Sequence, residues 1–165
     1  LQNRQIRNCA TTCMVDNLSP EKRSRVMSAI RSKNTGPELA VRRIVWSMGV
    51  RYRIHDRSVF GTPDISNKSR GVAVFIDGCF WHGCGRCYRE PRTNTGFWRD
   101  KIANNKRRRR RVASRLRSEG WSVLQFWEHS VNGNPRAVAE RVRMAMRPSS
   151  KKPLSKSSTL TKTAT

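Results

Sequence analysis

The run Val72-Ala73-Val74-Phe75-Ile76 leads directly into Asp77-Gly78-Cys79-Phe80-Trp81-His82-Gly83-Cys84-Gly85-Arg86-Cys87. The first five residues are apolar without interruption and rich in β-branched side chains, which is typical of a strand buried on both faces of a sheet. Acidic, aromatic, imidazole and thiol groups begin where this run ends. We therefore expect a central strand over residues 72–76, with a chemically dense loop at its carboxyl end.

Two helices and two strands are predicted before the central strand. A short helix starts at Ser19, and a second starts at Thr35, which forms a capping-box pattern with Glu38. The alternation over residues 51–55 predicts a half-buried strand, and residues 64–66 predict a short one after a turn. All four elements precede the central strand in the sequence.

Three elements are predicted after the loop. A long basic helix runs from about Thr95 to Gly120, an apolar strand covers residues 121–127, and a last helix starts at Asn134. The whole order is ααβββαβα. This order indicates an α/β fold, with an α+β-like mixed sheet and one layer of helices on each face.

The chain is strongly basic, with 35 Lys and Arg against 11 Asp and Glu and a formal charge of +24. Such a charge predicts a polyanionic partner, and nucleic acid is the leading candidate. We expect no membrane association, because neither a long apolar run nor a basic amphipathic helix with a clean apolar face occurs. Six consecutive cations on the long helix are too dense for pairing along the helix and are expected to contact phosphates, a solvated face being the alternative. They are Lys106, Arg107, Arg108, Arg109, Arg110 and Arg111.

The length of 165 residues suits one domain. We expect this domain to span residues 18–147, preceded by a disordered extension over 1–17 and followed by a disordered basic tail over 148–165. The first 16 residues lack the apolar core of a secretory signal, and the five cysteines are an odd number. We therefore expect an intracellular protein, cytoplasmic and associated with the nucleoid.

A metal-ligand pattern occupies the loop. Cys79, Cys84 and Cys87 stand as Cys-x4-Cys-x2-Cys and supply three soft ligands, to which tetrahedral zinc adds a fourth. His129, just past the predicted strand over 121–127, is favoured for that position. His82 inside the loop is the competitor, and three free buried thiols are the alternative to a metal.

Three aromatic side chains near turns or helix starts suggest a wedge. Phe80, Trp81 and Trp98 are large, and in a basic protein such residues can insert between base pairs and bend a duplex. A mispaired step opens at lower cost than a paired one, so intercalation can sense a mismatch. The alternative is that these side chains belong to the core.

Two acids lie at the termini of neighbouring strands. Asp64 starts a strand beside the central strand that ends at Asp77, and such a pair can share a Mg²⁺ ion that activates water. Alone, Pro63-Asp64 is an ordinary turn. His55 is interpreted as a strand or surface histidine without a role.

Taken together, these segments resemble the very short patch repair (Vsr-type) DNA mismatch endonucleases over about residues 18–147. The Gly-Cys-Phe-Trp-His string is the most specific part of the similarity. The segments that match in order and spacing are Gly61-Thr62-Pro63-Asp64, Asp77-Gly78-Cys79-Phe80-Trp81-His82, Thr95-Gly96-Phe97-Trp98 with Lys101, Ile102 and Asn105, Gly120-Trp121-Ser122-Val123, and Trp127-Glu128.

The resemblance implies a variant of the restriction-endonuclease fold with catalytic Mg²⁺ and structural Zn²⁺. It implies that Asp64 is the catalytic, Mg²⁺-binding aspartate and that the backbone carbonyl of Ile76 is a second ligand. By the same resemblance His82 activates water, and Glu38 lies near the metal-bound waters. Phe80, Trp81 and Trp98 match the family's intercalating aromatics.

The chain departs from the family at several positions. Asp77 stands where some members have histidine, which leaves open whether Asp77 or His82 assists proton transfer. Cys84 also stands where some members have histidine, the segment before Cys87 is one residue longer, and His129 stands where a cysteine is often found. The ligand types are exchanged, but the count of four is kept.

The function that follows is Mg²⁺-dependent nicking of one strand, 5′ of the thymine of a T:G mispair in double-stranded DNA. The resemblance also implies a pathway shared with mismatch-repair proteins and a cytosine methyltransferase, and we expect a monomer. A restriction-type nuclease of the same fold with another target is one alternative. A zinc-stapled DNA-binding module without catalysis is another, and it would have no use for Asp64 and His82 near a common point.

Overall fold

A computed structural model describes Ser19, Arg25 and residues 33–147 of the chain. The helix predicted from Ser19 therefore lies outside the described residues, apart from two single positions. The predicted terminal segments, residues 1–17 and 148–165, lie outside them as well. In the described part of the chain, no helix is both long and apolar enough to cross a membrane.

A mixed three-stranded sheet forms the centre of the described residues. Its strands are β1 (Ile65–Asn67), β2 (Val72–Asp77) and β3 (Ser122–Trp127), in the order β1-β2-β3. β1 is antiparallel to β2, with Ile65 opposite Val74, and β3 is parallel to β2. The prediction of a central strand is confirmed, and residue 64 lies at the same edge of the sheet as the end of β2.

Helices cover both faces of this sheet. They are α1 (Gly36–Ser47), α2 (Thr95–Ser118), α3 (Glu128–Gly133) and α4 (Pro135–Ala145). α1 packs against α4. The apolar core on that face contains residues from α1, the sheet and α4, including Val41, Val45, Ile65, Val74, Phe126, Val138 and Val142.

The other face of the sheet packs against α2. Leu116 is buried with Ala73 of β2 and Val59 of the loop before β1. Ile102 of α2 is also buried. Successive residues of β2 alternate between the two cores, which directs the Asp77 side chain to the α2 side.

The strand predicted over residues 51–55 is wrong. Only an isolated bridge forms, in which Arg53 and Ser66 exchange backbone hydrogen bonds of 2.8 Å. His55 has a φ of 45°, which turns the chain away from the sheet after this bridge. Tyr52 packs toward α1, where its hydroxyl donates to the Arg42 carbonyl at 2.8 Å, while Ile54 is half exposed. The alternation therefore comes from one anchored tyrosine in a loop and not from a ladder.

The structure differs from the predictions at two further places, one strand boundary and one additional helix. The short strand predicted over residues 64–66 begins one residue later, at Ile65. The short helix α3, which carries His129, has no counterpart in the sequence interpretation. It starts immediately after β3, because Trp127 is still extended and Glu128 opens the helix.

A close approach in the loop before β1 explains the glycine that precedes Thr62-Pro63-Asp64. Gly61 has a φ of 80°, and a Cβ built there would lie 2.3 Å from Cγ1 of Val112 in α2. Both facts exclude a side chain at this position without local rearrangement. Gly61 thus lets the loop pass closely over α2 before it delivers Asp64 to the sheet edge.

Candidate active site and metal centre

Asp64 lies beside the end of β2. Its Oδ2 accepts a hydrogen bond from the Ile76 N–H at 2.7 Å, and its own N–H donates to the Val74 carbonyl at 3.0 Å. Burial raises the pKa of Asp64 to about 7; the negative charges of Glu38 and Asp77 add to this, and the Ile76 hydrogen bond and Arg42 oppose it. Burial and the neighbouring negative charges disfavour the ionised form of Asp64, and a bound cation would stabilise that form.

Glu38 is buried in the first turn of α1, with 5% of its side chain exposed. The Thr35 hydroxyl donates to Oε1 at 2.8 Å, and the Asn34 N–H donates to Oε2 at 3.0 Å. The predicted capping box is thus altered, since the Thr35 side chain caps the glutamate and no side-chain hydrogen bond from Thr35 caps the helix backbone. The result is a carboxylate held in one orientation.

Arg42 lies at the centre of this part of the site, and the sequence interpretation missed it. Nη2 donates to Oε2 of Glu38 at 2.8 Å and to the Asp64 carbonyl at 3.1 Å, and it lies 3.1 Å from Nε2 of His55. Nη1 donates to Oδ1 of Asn34 at 2.7 Å. The available signal was the spacing of Glu38 and Arg42, four residues apart on one helix face.

His55 also belongs to this part of the site, and its interpretation as a strand or surface histidine is wrong. One ligand atom each of Glu38, His55 and Asp64 lies within 4.8 Å of the others. Burial lowers the pKa of His55, Arg42 lowers it further, and Glu38 raises it. Because a guanidinium only donates hydrogen bonds, its contact fits a neutral imidazole that accepts at Nε2.

A second charged group lies on the α2 side of β2. Nε of Arg109 donates to Oδ2 of Asp77 at 2.6 Å, and Nε2 of His82 lies 3.6 Å from Oδ1 of the same carboxylate. Burial lowers the pKa of His82, Asp77 raises it, and Arg109 and Arg108 lower it. Nδ1 of His82 is buried and has no hydrogen-bond partner within the described residues.

The three cysteines and His129 come together as a second possible metal site. One ligand atom from each of Cys79, Cys84, Cys87 and His129 lies within 4.8 Å of the others. Nδ1 of His129 is 3.2 Å from Sγ of Cys79 and 3.5 Å from Sγ of Cys84. His82 faces Asp77 and is not part of this cluster.

The donor set of this cluster fits zinc. Three thiols and one imidazole are the ligands of a structural tetrahedral site, and all three thiols are free of disulfides. Burial raises the pKa of the Cys79 thiol well above its usual range. A buried thiolate here therefore calls for a cation, and Oε2 of Glu128 steadies the loop by accepting the Cys79 N–H at 3.1 Å.

The aromatic side chains form one cluster where the loop meets the start of α2. Ring centroids of Phe80 lie 5.3 Å from Trp81 and 5.1 Å from Trp98, and Trp81 and Trp98 are 6.1 Å apart. All three rings are partly exposed. Phe97 stacks edge-on against Trp98 and is 61% exposed, and the sequence interpretation did not assign it a role.

Contacts between this loop and α2 fix the aromatic cluster in place. Nδ2 of Asn105 donates to the Trp81 carbonyl at 2.9 Å. Gly83 has a φ of 57°, and a Cβ there would lie 2.7 Å from Ile102 Cγ2 and 2.6 Å from Lys106 Cε. The loop therefore lies flat on the helix that carries the basic run.

The six cations of residues 106–111 differ in exposure. Arg107, Arg108, Arg110 and Arg111 are exposed, whereas Lys106 packs near the loop at Gly83 and Arg109 reaches Asp77. Four of the six side chains are therefore on the solvent-exposed face of the helix. Arg109 belongs to the charged group at the end of β2.

Comparison with known proteins gives one consistent result. The family described as DNA mismatch endonuclease Vsr matches residues 15–89. A type II nicking enzyme of Neisseria meningitidis serogroup C is 47% identical over 135 residues, which are 81% of this chain and 91% of that protein. A type II nicking enzyme of Haemophilus parainfluenzae is 41% identical over 135 residues, 80% of this chain and 96% of that protein. The DNA mismatch endonuclease Vsr of Escherichia coli (strain K12) is 36% identical over 129 residues, 77% of this chain and 82% of that protein.

Proposed function

Because the chain belongs to the Vsr family of DNA mismatch endonucleases, we propose that it is a DNA endonuclease that nicks one strand of a duplex. We propose further that it cuts 5′ of the thymine of a T:G mispair by Mg²⁺-dependent hydrolysis. The observation that carries this proposal is the meeting of Asp64, Glu38 and the Asp77–His82 pair at one end of β2. A partly exposed aromatic cluster and a basic helix border the same end.

Asp64 and the backbone carbonyl of Ile76 would hold the Mg²⁺ ion. The fit rests on the buried Glu38 carboxylate and the partly buried Asp64 carboxylate, whose mutual repulsion contributes to the raised pKa of Asp64. Oxygen donors of this kind are the ligands that Mg²⁺ prefers. When bound, the cation supplies Lewis-acid polarisation of the phosphate and lowers the pKa of water.

His82 is the proposed proton acceptor for the attacking water. Its lowered pKa keeps the imidazole neutral, and a neutral ring nitrogen can take a proton. The Asp77 carboxylate, 3.6 Å from Nε2, would then stabilise the protonated ring. The new bond forms between the water oxygen and phosphorus, and the bond from phosphorus to the leaving oxygen breaks.

Glu38 is proposed to orient water on the opposite side of Asp64. Thr35, Asn34 and Arg42 all donate to its carboxylate, which limits its rotation. Because Arg42 also donates to the Asp64 carbonyl, one guanidinium fixes both acids. Fixed polar groups stabilise a transition state without the cost of reorganising during the reaction.

Cys79, Cys84, Cys87 and His129 would hold a structural Zn²⁺ ion. The ion would tie the loop after β2 to α3, two segments separated by about 45 residues of sequence. Such a link holds His82 and Trp81, which lie between the first two cysteines, against α2. The proposed role of the zinc ion is therefore to hold the catalytic and mismatch-sensing side chains in fixed positions next to α2.

The aromatic cluster is proposed to enter the duplex at the mispair. Phe80, Trp81 and Trp98 are partly exposed and contact one another, so they present one apolar edge. Inserting such an edge unstacks a base step, and a mismatched step yields at lower cost. The exposed arginines of residues 106–111 would contact phosphates regardless of sequence.

T:G mispairs arise when a 5-methylcytosine loses its amino group, so a cytosine methyltransferase and mismatch-repair proteins are proposed for the same pathway. The proposed substrate is double-stranded DNA, acted on by a monomer. Two matched duplexes test the specificity, one with T:G and one with T:A at the same position, each incubated with and without added Mg²⁺. We expect nicking of the T:G duplex only with Mg²⁺ and little nicking of the T:A duplex.

Equal nicking of both duplexes would instead favour the restriction-type alternative. Its support is that several relatives are named type II nicking enzymes. Binding of T:G DNA without nicking at any Mg²⁺ concentration would favour a non-catalytic module. The same assay therefore distinguishes a mismatch endonuclease, a restriction-type nuclease and a non-catalytic DNA-binding module.

A further inference from the structure

Arg109 differs from the exposed arginines beside it in the basic run. Only 25% of its side chain is exposed, and it turns from α2 toward the end of β2. Arg108 and Arg110 on either side are exposed. One arginine of the run is thus directed into the site described above.

Two contacts fix the plane of the Arg109 guanidinium. Nε donates to Oδ2 of Asp77 at 2.6 Å, and the guanidinium carbon lies 4.6 Å from the ring centroid of Trp127. Within residues 33–147, Nη1 and Nη2 of Arg109 make no hydrogen bond. The side chain is therefore anchored through one donor and offers its two terminal amino groups to something else.

The position of Arg109 places these amino groups next to the reacting groups. Asp77 follows Ile76, whose N–H binds Asp64, and Asp77 also faces His82. A planar guanidinium with two parallel donors matches two oxygens of a phosphate.

We propose that Arg109 binds the scissile phosphate through its two terminal amino groups, and that Asp77 is the positioning residue that orients the guanidinium. This inference rests on the proposed function and deepens it. Asp77 then acts through Arg109 and His82, and is not itself the proton acceptor. A purely structural ion pair, in which Arg109 only neutralises buried Asp77, is the competing explanation.

A binding cycle separates these explanations without relying on activity. Affinity is measured without Mg²⁺ for two T:G duplexes, one normal and one with a neutral methylphosphonate in place of the scissile phosphate. For the wild type we expect the neutral group to weaken binding by about tenfold, the size of one lost charge-assisted contact. For Arg109→Ala the two duplexes should bind equally, because the partner of that charge is gone.

Matched variants complete the cycle. Arg110→Ala and Arg108→Ala remove exposed charges from the same helix and should keep the roughly tenfold difference between the duplexes. Arg109→Gln keeps a hydrogen-bond donor for Asp77 at the position of Nε but removes the charge and the two terminal amino groups, so it should lose the difference as Arg109→Ala does. It serves as the test variant if Arg109→Ala does not fold.

Single-turnover nicking of the T:G duplex gives an independent readout. At saturating protein we expect Arg109→Ala and Arg109→Lys to slow nicking about a hundredfold or more, since lysine offers a point charge and no planar fork. Asp77→Asn should slow it less and retain part of the methylphosphonate penalty. Arg117→Ala removes an exposed charge from the same helix outside the basic run and should stay within about threefold of wild type.

Two results would overturn the Arg109 proposal while leaving the proposed function intact. One is a folded Arg109→Ala or Arg109→Gln protein that keeps the full methylphosphonate penalty. The other is wild-type nicking by a protein without Arg109. If the wild type itself nicks no T:G duplex, the proposed function fails first, and the Arg109 proposal fails with it.

Discussion

At the residue scale, the environments of Asp64 and Glu38 are the reason for proposing a cation at this site. The Asp64 carboxylate is partly buried, which raises its pKa to about 7, and the buried Glu38 carboxylate accepts hydrogen bonds from three neighbouring residues. An isolated buried carboxylate is costly, and a metal ion or a guanidinium offsets that cost. Arg42 provides the guanidinium, and the proposed Mg²⁺ ion provides the rest.

At the residue scale, replacing Asp64 tests its role as the catalytic ligand. Asp64→Asn should abolish nicking and leave mismatch binding largely intact, because the carboxylate serves the metal and most affinity comes from phosphate contacts. Nicking of a T:G duplex and equilibrium binding are measured on the same preparation. Nicking within tenfold of wild type would reject this role for Asp64.

Arg42 allows a second test at this scale. Arg42→Ala leaves Glu38 buried without its partner, so we expect the free energy of unfolding to fall by about 3–5 kcal/mol. The exposed neighbour Arg43 is the matched control, and Arg43→Ala should change stability by less than about 0.5 kcal/mol. Denaturant unfolding of the three proteins measures both values, and equal stability of the two variants would contradict the network around Arg42.

These residues also show where sequence reasoning stops. Asp64 and Asp77 could be predicted as neighbours, since both stand at strand ends that the apolar pattern of 72–76 locates. Arg42 and His55 could not, because their contacts join a helix, a loop and the strand edge across 9 to 22 residues. His55 has a left-handed backbone conformation, and its ring lies near Glu38. The alternating pattern of residues 51–55 does not predict this conformation.

At the element scale, the loop after β2 depends on its link to α3. The central strand and the long helix follow from local patterns and were predicted correctly, and the three cysteines lie together with His129 as expected. α3 is six residues long and follows β3 without a turn. The sequence therefore contains neither a helical periodicity nor a capping residue that would predict this helix. Its position nevertheless brings His129 to the thiols, as the topology of strand ends led us to expect.

Replacing His129 tests this link. The free energy of zinc binding is folding free energy, on the order of 10 kcal/mol in small zinc modules, with a larger core carrying part of the load here. His129→Ala should therefore lower zinc content and melting temperature together, whereas His129→Cys should keep both. His82→Ala is the control and should retain one zinc per chain. Retention of zinc by His129→Ala with loss by His82→Ala would make His82 the ligand.

The aromatic cluster is tested through discrimination between duplexes. Trp81→Ala should reduce the preference for T:G over T:A DNA more than it reduces non-specific binding, because a wedge senses deformability. The exposed Arg110 supplies the opposite control, since Arg110→Ala should weaken binding to both duplexes alike. Parallel loss of both affinities in Trp81→Ala would argue against a wedge.

At the scale of the whole molecule, a narrow sheet carries two sites of different chemistry on one edge. Oxygen donors gather where β1 starts and β2 ends, and sulfur donors gather in the loop just beyond. The net charge of +24 accounts for affinity to a polyanion but carries no sequence information. We therefore propose that selectivity arises where the aromatic cluster and the charged group at the end of β2 contact the same duplex.

The most direct test of this account maps the nick on a single T:G duplex. The thymine strand and the guanine strand carry different fluorescent labels, and the products formed with Mg²⁺ are sized to the nucleotide. We predict one product, from the thymine strand, cut at the phosphate 5′ of the mispaired thymine. Cutting of both strands, or a cut whose position ignores the mispair, would contradict it.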